Sequence, residues 1–327
     1  MARAHSPAHA FHQRCFVVDA HCDTALRLAD GASLSGGDGA GHVDLPRLLA
    51  GGVDLQFFAL WVDARQRRSG FAVRCLDLLD AVVREVERHH QHLSPILTSQ
   101  DLRKAAEEGK IGVLLSIEGG EALEGNLAAL RAFHRLGVRA MGLTWNGRND
   151  LADGVDEGAA GGGLTRFGRA VVREMNRLHM VVDVSHLAEA GFWHVLELSE
   201  HPVIASHSNA RALCDHPRNL TDQQIRALAG QGGVIGINFC SEFLRAGGGA
   251  TVDDVVRHID HIVDLVGPGH VGLGSDYDGI DAPPAGLEDV SCLPRLTEAL
   301  LARGYDEESV QGILGGNFLR VLQQILP

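Results

Sequence analysis

The chain has 327 residues, 45% of them hydrophobic, which is ample for a core and long enough for one (β/α)8 barrel or for two ordinary domains. Its net charge of −13 argues against nucleic acid as a partner, because a nucleic-acid surface needs a basic stripe. No apolar run approaches the ~18 residues of a membrane span, and the opening "MARAHSPAHAFHQR" lacks the apolar centre of a signal peptide, so a cytoplasmic protein with no membrane partner is expected. In chain order, residues 1–12 read as a flexible N-terminal extension. Eight short runs rich in Val, Ile and Leu then follow: 15–21, 53–62, 111–119, 139–145, 180–186, 202–207, 233–239 and 270–276. Near-continuous apolar runs suit parallel strands covered on both faces. Between them, residues 71–90, 126–137, 166–179 and 251–267 carry apolar residues at three- and four-residue spacing, the mark of amphipathic helices. Thr221–Asp222 and Thr251 are helix-start signals.

Strand–helix alternation implies βαβ units, and eight of them predict an α/β fold of the (β/α)8 TIM-barrel type, a single domain over 1–327. An open doubly wound sheet is the alternative. It usually shows a glycine fingerprint after its first strand, and this chain has "HCDTALRL" there.

In a (β/α)8 barrel the chemistry sits at the C-terminal ends of the strands. The first run ends in His21 and Asp23, which share a side of an extended chain. The third ends in Glu118, the fifth in His186, the sixth in His207, the seventh near Asn238 and the eighth in Asp276. Three imidazoles and three carboxylates on one face predict a metal centre. Such ligands suit zinc, and also manganese, iron or cobalt. Five or six of them exceed one tetrahedral ion and suit two ions bridged by a carboxylate and a hydroxide. A further carboxylate is then available to move protons. Asp276 in "GSDYDG" also reads as a turn residue. Ser185–His186 and Ser206–His207 are expected to diverge, as strand neighbours do, and so to make poor nucleophile–base pairs. His258 and His261 are expected on the barrel exterior. The six cysteines show no C-x-x-C spacing and read as reduced thiols.

Taken together, "DAHCDT", "SIEGGEAL" (116–123), "DVSHLAEAGFWHVL" (183–196), "PVIASHSNARALCDHPRNL" (202–220), "HVGLGSDYDGI" (270–280), "GLEDVS" and "GGNFLRVL" (315–322) resemble the membrane (renal) dipeptidase family over nearly the whole chain. The resemblance implies a binuclear zinc hydrolase of the amidohydrolase type that cleaves dipeptides and accepts a C-terminal D-residue. It implies that His21 and Asp23 hold one zinc, His186 and His207 the other, and that Glu118 bridges them. Asp276 becomes the proton-shuttling carboxylate. Arg218 becomes the group that binds the substrate's terminal carboxylate, a task suited to a guanidinium. A homodimer through the outer helices is also implied.

The chain departs from the family at one point. Renal-type dipeptidases carry a histidine after the fourth strand, near the scissile carbonyl, where this chain reads "GLTWNGRND" and places Trp145. Indole donates one hydrogen bond and takes no proton. Asn146 and Arg148 are the neighbouring candidates for that contact. Two other readings follow from fold not fixing substrate: a related metal hydrolase of N-acyl-amino acids or other amides and esters, and a catalytically silent, metal-stabilised binding protein.

Overall fold

Each of the eight apolar runs overlaps a strand in a computed structural model of the protein, which describes residues 6–36, 39–65 and 69–327. The strands are β1 (Val18–Cys22), β2 (Leu55–Trp61), β3 (Leu93–Pro95), β4 (Ile111–Glu118), β5 (Val138–Gly142), β6 (Val181–Asp183), β7 (Ile204–Ala205), β8 (Val234–Ile237) and β9 (Val271–Leu273). All pair in parallel, and β4 pairs back onto β2, so that all but β3 close an eight-stranded barrel. Closure removes the sheet edges that an open sheet would leave. The extra strand β3 lies along the start of β4, with Leu93 opposite Ile111. It escapes sequence reading because three residues, "LSP", carry no periodicity.

The four predicted helices are present as Phe71–Arg88, Leu127–Arg135, Arg166–Arg177 and Val252–Val266, and Thr221 caps a fifth, Asp222–Gly230, through a capping box. Val18, Leu55, Phe57, Leu114, Val181 and Val234, all near the strand starts, form a core that the C-terminal helix Asn317–Ile325 covers with Phe318. Gly272 makes that cover fit, since a Cβ there would meet the Phe318 ring at 2.3 Å. The opposite end of the barrel is left open for a site. Among the described residues no helix is long and apolar enough to cross a membrane.

The expected flexible extension over residues 1–12 is corrected where the structure describes it. Pro7–His12 is a helix capped by Ser6, and Phe11 and His12 are buried. His12 is satisfied at both ring nitrogens, Nδ1 lying 2.7 Å from Thr297 Oγ1 and Nε2 2.8 Å from the Gly51 carbonyl. One buried aromatic ring and one fully paired imidazole fasten the segment to the barrel. Residues 1–5 lie outside the described residues. His258 likewise has a structural task, accepting from the Ala210 amide and donating to the Leu244 carbonyl.

Strands β7, β8 and β9 approach so closely that a Cβ on Gly274 would sit 1.8 Å from the Ser206 carbonyl oxygen. Gly274→Ala is therefore expected to destabilise the protein by about 1–3 kcal/mol, the range for forced overpacking, read as a lowered midpoint in chemical denaturation.

Candidate metal centre and active site

Every predicted ligand reaches the same end of the barrel. His21 lies in β1, with Asp23 just beyond it, and Glu118 is the last residue of β4. His186, His207 and Asp276 follow β6, β7 and β9 within three residues. His186 and Asp276 have φ of +65° and +64°, left-handed values unusual for residues other than glycine. Such strain is found where the surrounding structure over-determines a functional position.

The donor atoms form three overlapping groups, each with its atoms within 4.8 Å of one another: His21–Asp23–Glu118, Glu118–His186–His207 and His21–His207–Asp276. His21 Nε2 is 3.4 Å from Asp23 and 3.5 Å from Glu118. His186 Nε2 is 2.8 Å from the other Glu118 oxygen and only 2.9 Å from His207 Nε2. Glu118 thus touches both histidine sets, as a bridging carboxylate must.

The hydrogen bonds behind the imidazoles assign their protons. Ser206 Oγ donates to Asp183, so it can only accept from His207 Nδ1, 2.7 Å away. His186 Nδ1 lies 2.6 Å from Asn146 Oδ1, an acceptor. Both Nδ1 atoms are therefore protonated, and both Nε2 atoms present lone pairs. Two lone pairs and a carboxylate meet in a buried pocket. Burial also holds His186 and His207 well below the usual imidazole range, which keeps them neutral. Burial alone would lower His21, yet Glu118, Asp23 and Asp276 outweigh it and push His21 up to about 10. Its Nε2 has no hydrogen-bond partner. The residues fit divalent cations: the pocket calls for positive charge and offers neutral nitrogens with carboxylates to receive it.

Two aspartates that sequence reading passed over hold this arrangement. Asp183 accepts from the Ser185 and Ser206 amides and from Ser206 Oγ, tying the ends of β6 and β7 together. Asp19 accepts from the Ser275 amide and hydroxyl and from the Gln56 side-chain amide nitrogen Nε2, tying β1 to β2 and to the turn after β9. The signal was available: each is a carboxylate in an otherwise apolar run, two or three residues before a candidate ligand histidine. The expectation that Ser206 and His207 diverge is also corrected. They touch, because β7 ends at Ala205 and strand alternation no longer applies. Ser206 remains unsuited as a nucleophile, with its proton committed to Asp183.

The cavity over the centre has a volume of about 470 Å³ and is lined by Asp23, Glu118, His186, Arg218, Asp276 and the indoles of Trp61 and Trp145. Asp276 Oδ2 accepts from Asn238 Nδ2 at 2.8 Å, and its Oδ1 is 3.9 Å from His21 Nε2. Burial, with Asp23 adding to it, pushes Asp276 up to about 7. Arg218 is buried, and its Nη2 donates to the His207 carbonyl at 3.1 Å while Nε and Nη1 have no partner. Trp145 lies beside Trp61, tilted at 53° with ring centroids 5.2 Å apart, and under the Arg65 guanidinium at 4.5 Å. Asn146 also lines the cavity, but its carbonyl oxygen serves His186. Arg148 is paired with Asp153 and does not line the cavity.

The profile of the membrane dipeptidase family (peptidase family M19) matches residues 5–326. The chain belongs to that family. It is an enzyme of the metallo-dipeptidase class, a hydrolase acting on peptide bonds. It is 40% identical to an uncharacterised protein of the pqqA 5′ region of Klebsiella pneumoniae, over 75% of this chain and 94% of that one. It is 36% identical to dipeptidase 3 of Mus musculus, over 87% of this chain and 58% of the mouse protein, so it spans little more than half of that relative. The solved structure of a metallopeptidase from Rhodobacter sphaeroides, liganded with a phosphinate mimic of the dipeptide L-Ala-D-Ala, superposes with a TM-score of 0.89 at 33% identity, over 95% of this chain and 99% of that one.

Within this M19 enzyme, Asn146 supports the candidate ligand His186 through a single hydrogen bond. Asn146→Ala is expected to weaken metal affinity about 10–100-fold with little change in fold, measured by competition with a chromophoric chelator.

Proposed function

We propose that the protein is a zinc-dependent dipeptidase with a binuclear centre, His21 and Asp23 holding one ion, His186 and His207 the other, and Glu118 spanning both. The observation that carries this reading is the pair of unprotonated Nε2 atoms of His186 and His207, 2.9 Å apart beside the Glu118 carboxylate. When bound, two zinc ions supply an activated water at neutral pH and polarise the carbonyl to be cleaved.

The protein's own groups do the rest. Asn146 and the Asp183–Ser206 pair fix the imidazole tautomers and aim Nε2 inward. Asp276, with a carboxyl near neutrality, accepts a proton on Oδ1 and returns it to the leaving amine, while Asn238 holds Oδ2 in place. Arg218 offers unpartnered donors to the substrate's terminal carboxylate, which confines cleavage to short substrates. The Rhodobacter relative's complex supports a dipeptide, and a D-residue at its C-terminal position. Trp145 gives the cavity an apolar wall in place of a second imidazole. That wall also favours a second reading on the same centre, hydrolysis of N-acyl-amino acids. Six free cysteines support a cytoplasmic location, and the exposed Val73 and Leu76 of helix Phe71–Arg88 support a homodimer.

Zinc-loaded protein is expected to hydrolyse L,L- and L,D-dipeptides, and a chelator to abolish turnover and lower Tm. Dipeptides left intact by protein carrying two zinc ions would overturn the dipeptidase reading, and cleavage of N-acyl-amino acids instead would establish the second one. Arg218→Met is expected to lower kcat/KM at least about 30-fold, the effect of leaving a buried carboxylate unpaired at ~2 kcal/mol or more. Asp276→Asn is expected to lower kcat about 10²–10⁴-fold with two metal equivalents retained by elemental analysis.

A further inference from the structure

Beside the active-site cavity lies a second chamber of about 330 Å³, and the two share His186 and Arg218 in their walls. Nothing in the chemistry derived above uses it. Its lining contains a second buried group with no partner: Ser208 is 2% exposed, and its Oγ makes no hydrogen bond. Arg218, 4% exposed, leaves both Nε and Nη1 unpartnered. The guanidinium is a rigid planar fork, and its Nε–H and Nη1–H groups lie on different edges, separated by Cδ. One carboxylate cannot take both. A substrate whose terminal carboxylate occupies one edge leaves a charged donor unsatisfied on the other, and that is costly in a buried place. The remaining lining is weighted the same way. Arg211, tethered to Asp215 at 2.8 Å, and Gln224 stand at the chamber, against one carboxylate, Glu189.

We infer that this chamber receives the side chain of the substrate's C-terminal residue and selects a second carboxylate there, so that the preferred substrates are dipeptides ending in aspartate or glutamate. The inference rests on the dipeptidase reading and names its substrate class. An acidic side chain is favoured over a neutral amide because it meets two guanidinium groups with a full charge, and charge-assisted hydrogen bonds are the stronger ones.

The test compares Ala-Glu, Ala-Gln and Ala-Ala, each with an L- or D-configured second residue, on zinc-loaded protein. In parallel, calorimetry measures the binding of free glutamate and glutamine, the products. Expected are a kcat/KM for Ala-Glu and an affinity for glutamate each about tenfold or more above the glutamine counterpart. Gly158 lines the chamber, and a Cβ there meets nothing within 4 Å. Gly158→Trp should therefore fill the chamber and remove the preference while leaving Ala-Ala turnover unchanged. Arg211→Gln should reduce the preference severalfold. Equal handling of glutamate and glutamine, or a preference that survives Gly158→Trp, overturns the inference. Loss of Ala-Ala and Ala-Glu turnover alike in Gly158→Trp overturns it too. If no dipeptide is cleaved, the dipeptidase reading fails separately, and the two product affinities still decide the subsite.

Discussion

Three imidazoles and three carboxylates converge in a buried pocket at one end of this barrel, their donor atoms forming three overlapping groups, each with its atoms within 4.8 Å of one another. Lone pairs and negative charges repel at such distances, and removal from water sharpens the repulsion. Only positive charge among them relieves it. The carboxylates raise the affinity of His21 for a proton, whereas burial suppresses the basicity of His186 and His207. A metal cofactor would meet the same demand better than a proton, because a metal ion accepts several donors at once.

Such a cluster survives only on a frame that does not relax. The frame here has two parts. Backbone closure, completed by the β2–β4 pairing, sets the strand ends in a ring. Buried aspartates then lock neighbouring ends together: Asp183 joins the ends of β6 and β7, and Asp19 joins β1 to the turn after β9. Each carboxylate is saturated by amide and hydroxyl donors, the condition under which a buried charge is tolerable. The tight approach at Gly274 belongs to the same frame, since any side chain there would displace the Ser206 carbonyl and with it His207.

The walls of the cavity divide the work of recognition by polarity. Arg218 supplies fixed positive charge with unspent donors on one side. Trp61 and Trp145 supply flat apolar surface on another. Trp145 belongs to that apolar wall, while its neighbour Asn146 supports His186. The apolar wall thus stands apart from the candidate metal ligands, whose hydrogen-bonded supports are complete.

Much of this was legible in the linear chain. Alternating apolar runs and amphipathic helices specified a barrel, because strand and helix periods differ and each run was long enough to show its own. Polar residues at the ends of those runs marked His21, Asp23, Glu118, His186, His207 and Asp276, since an apolar strand has no other use for them. The strand β3 and the helix Pro7–His12 were not legible, being too short for periodicity and held by partners far away in sequence, Ile111 for one and Gly51 and Thr297 for the other. Tertiary structure alone decided which imidazole nitrogen carries the proton, that Ser206 turns toward His207, and that Arg218 borders two chambers. Those are matters of tenths of an ångström between residues tens to hundreds of positions apart, and a sequence orders residues along the chain without measuring the space between them.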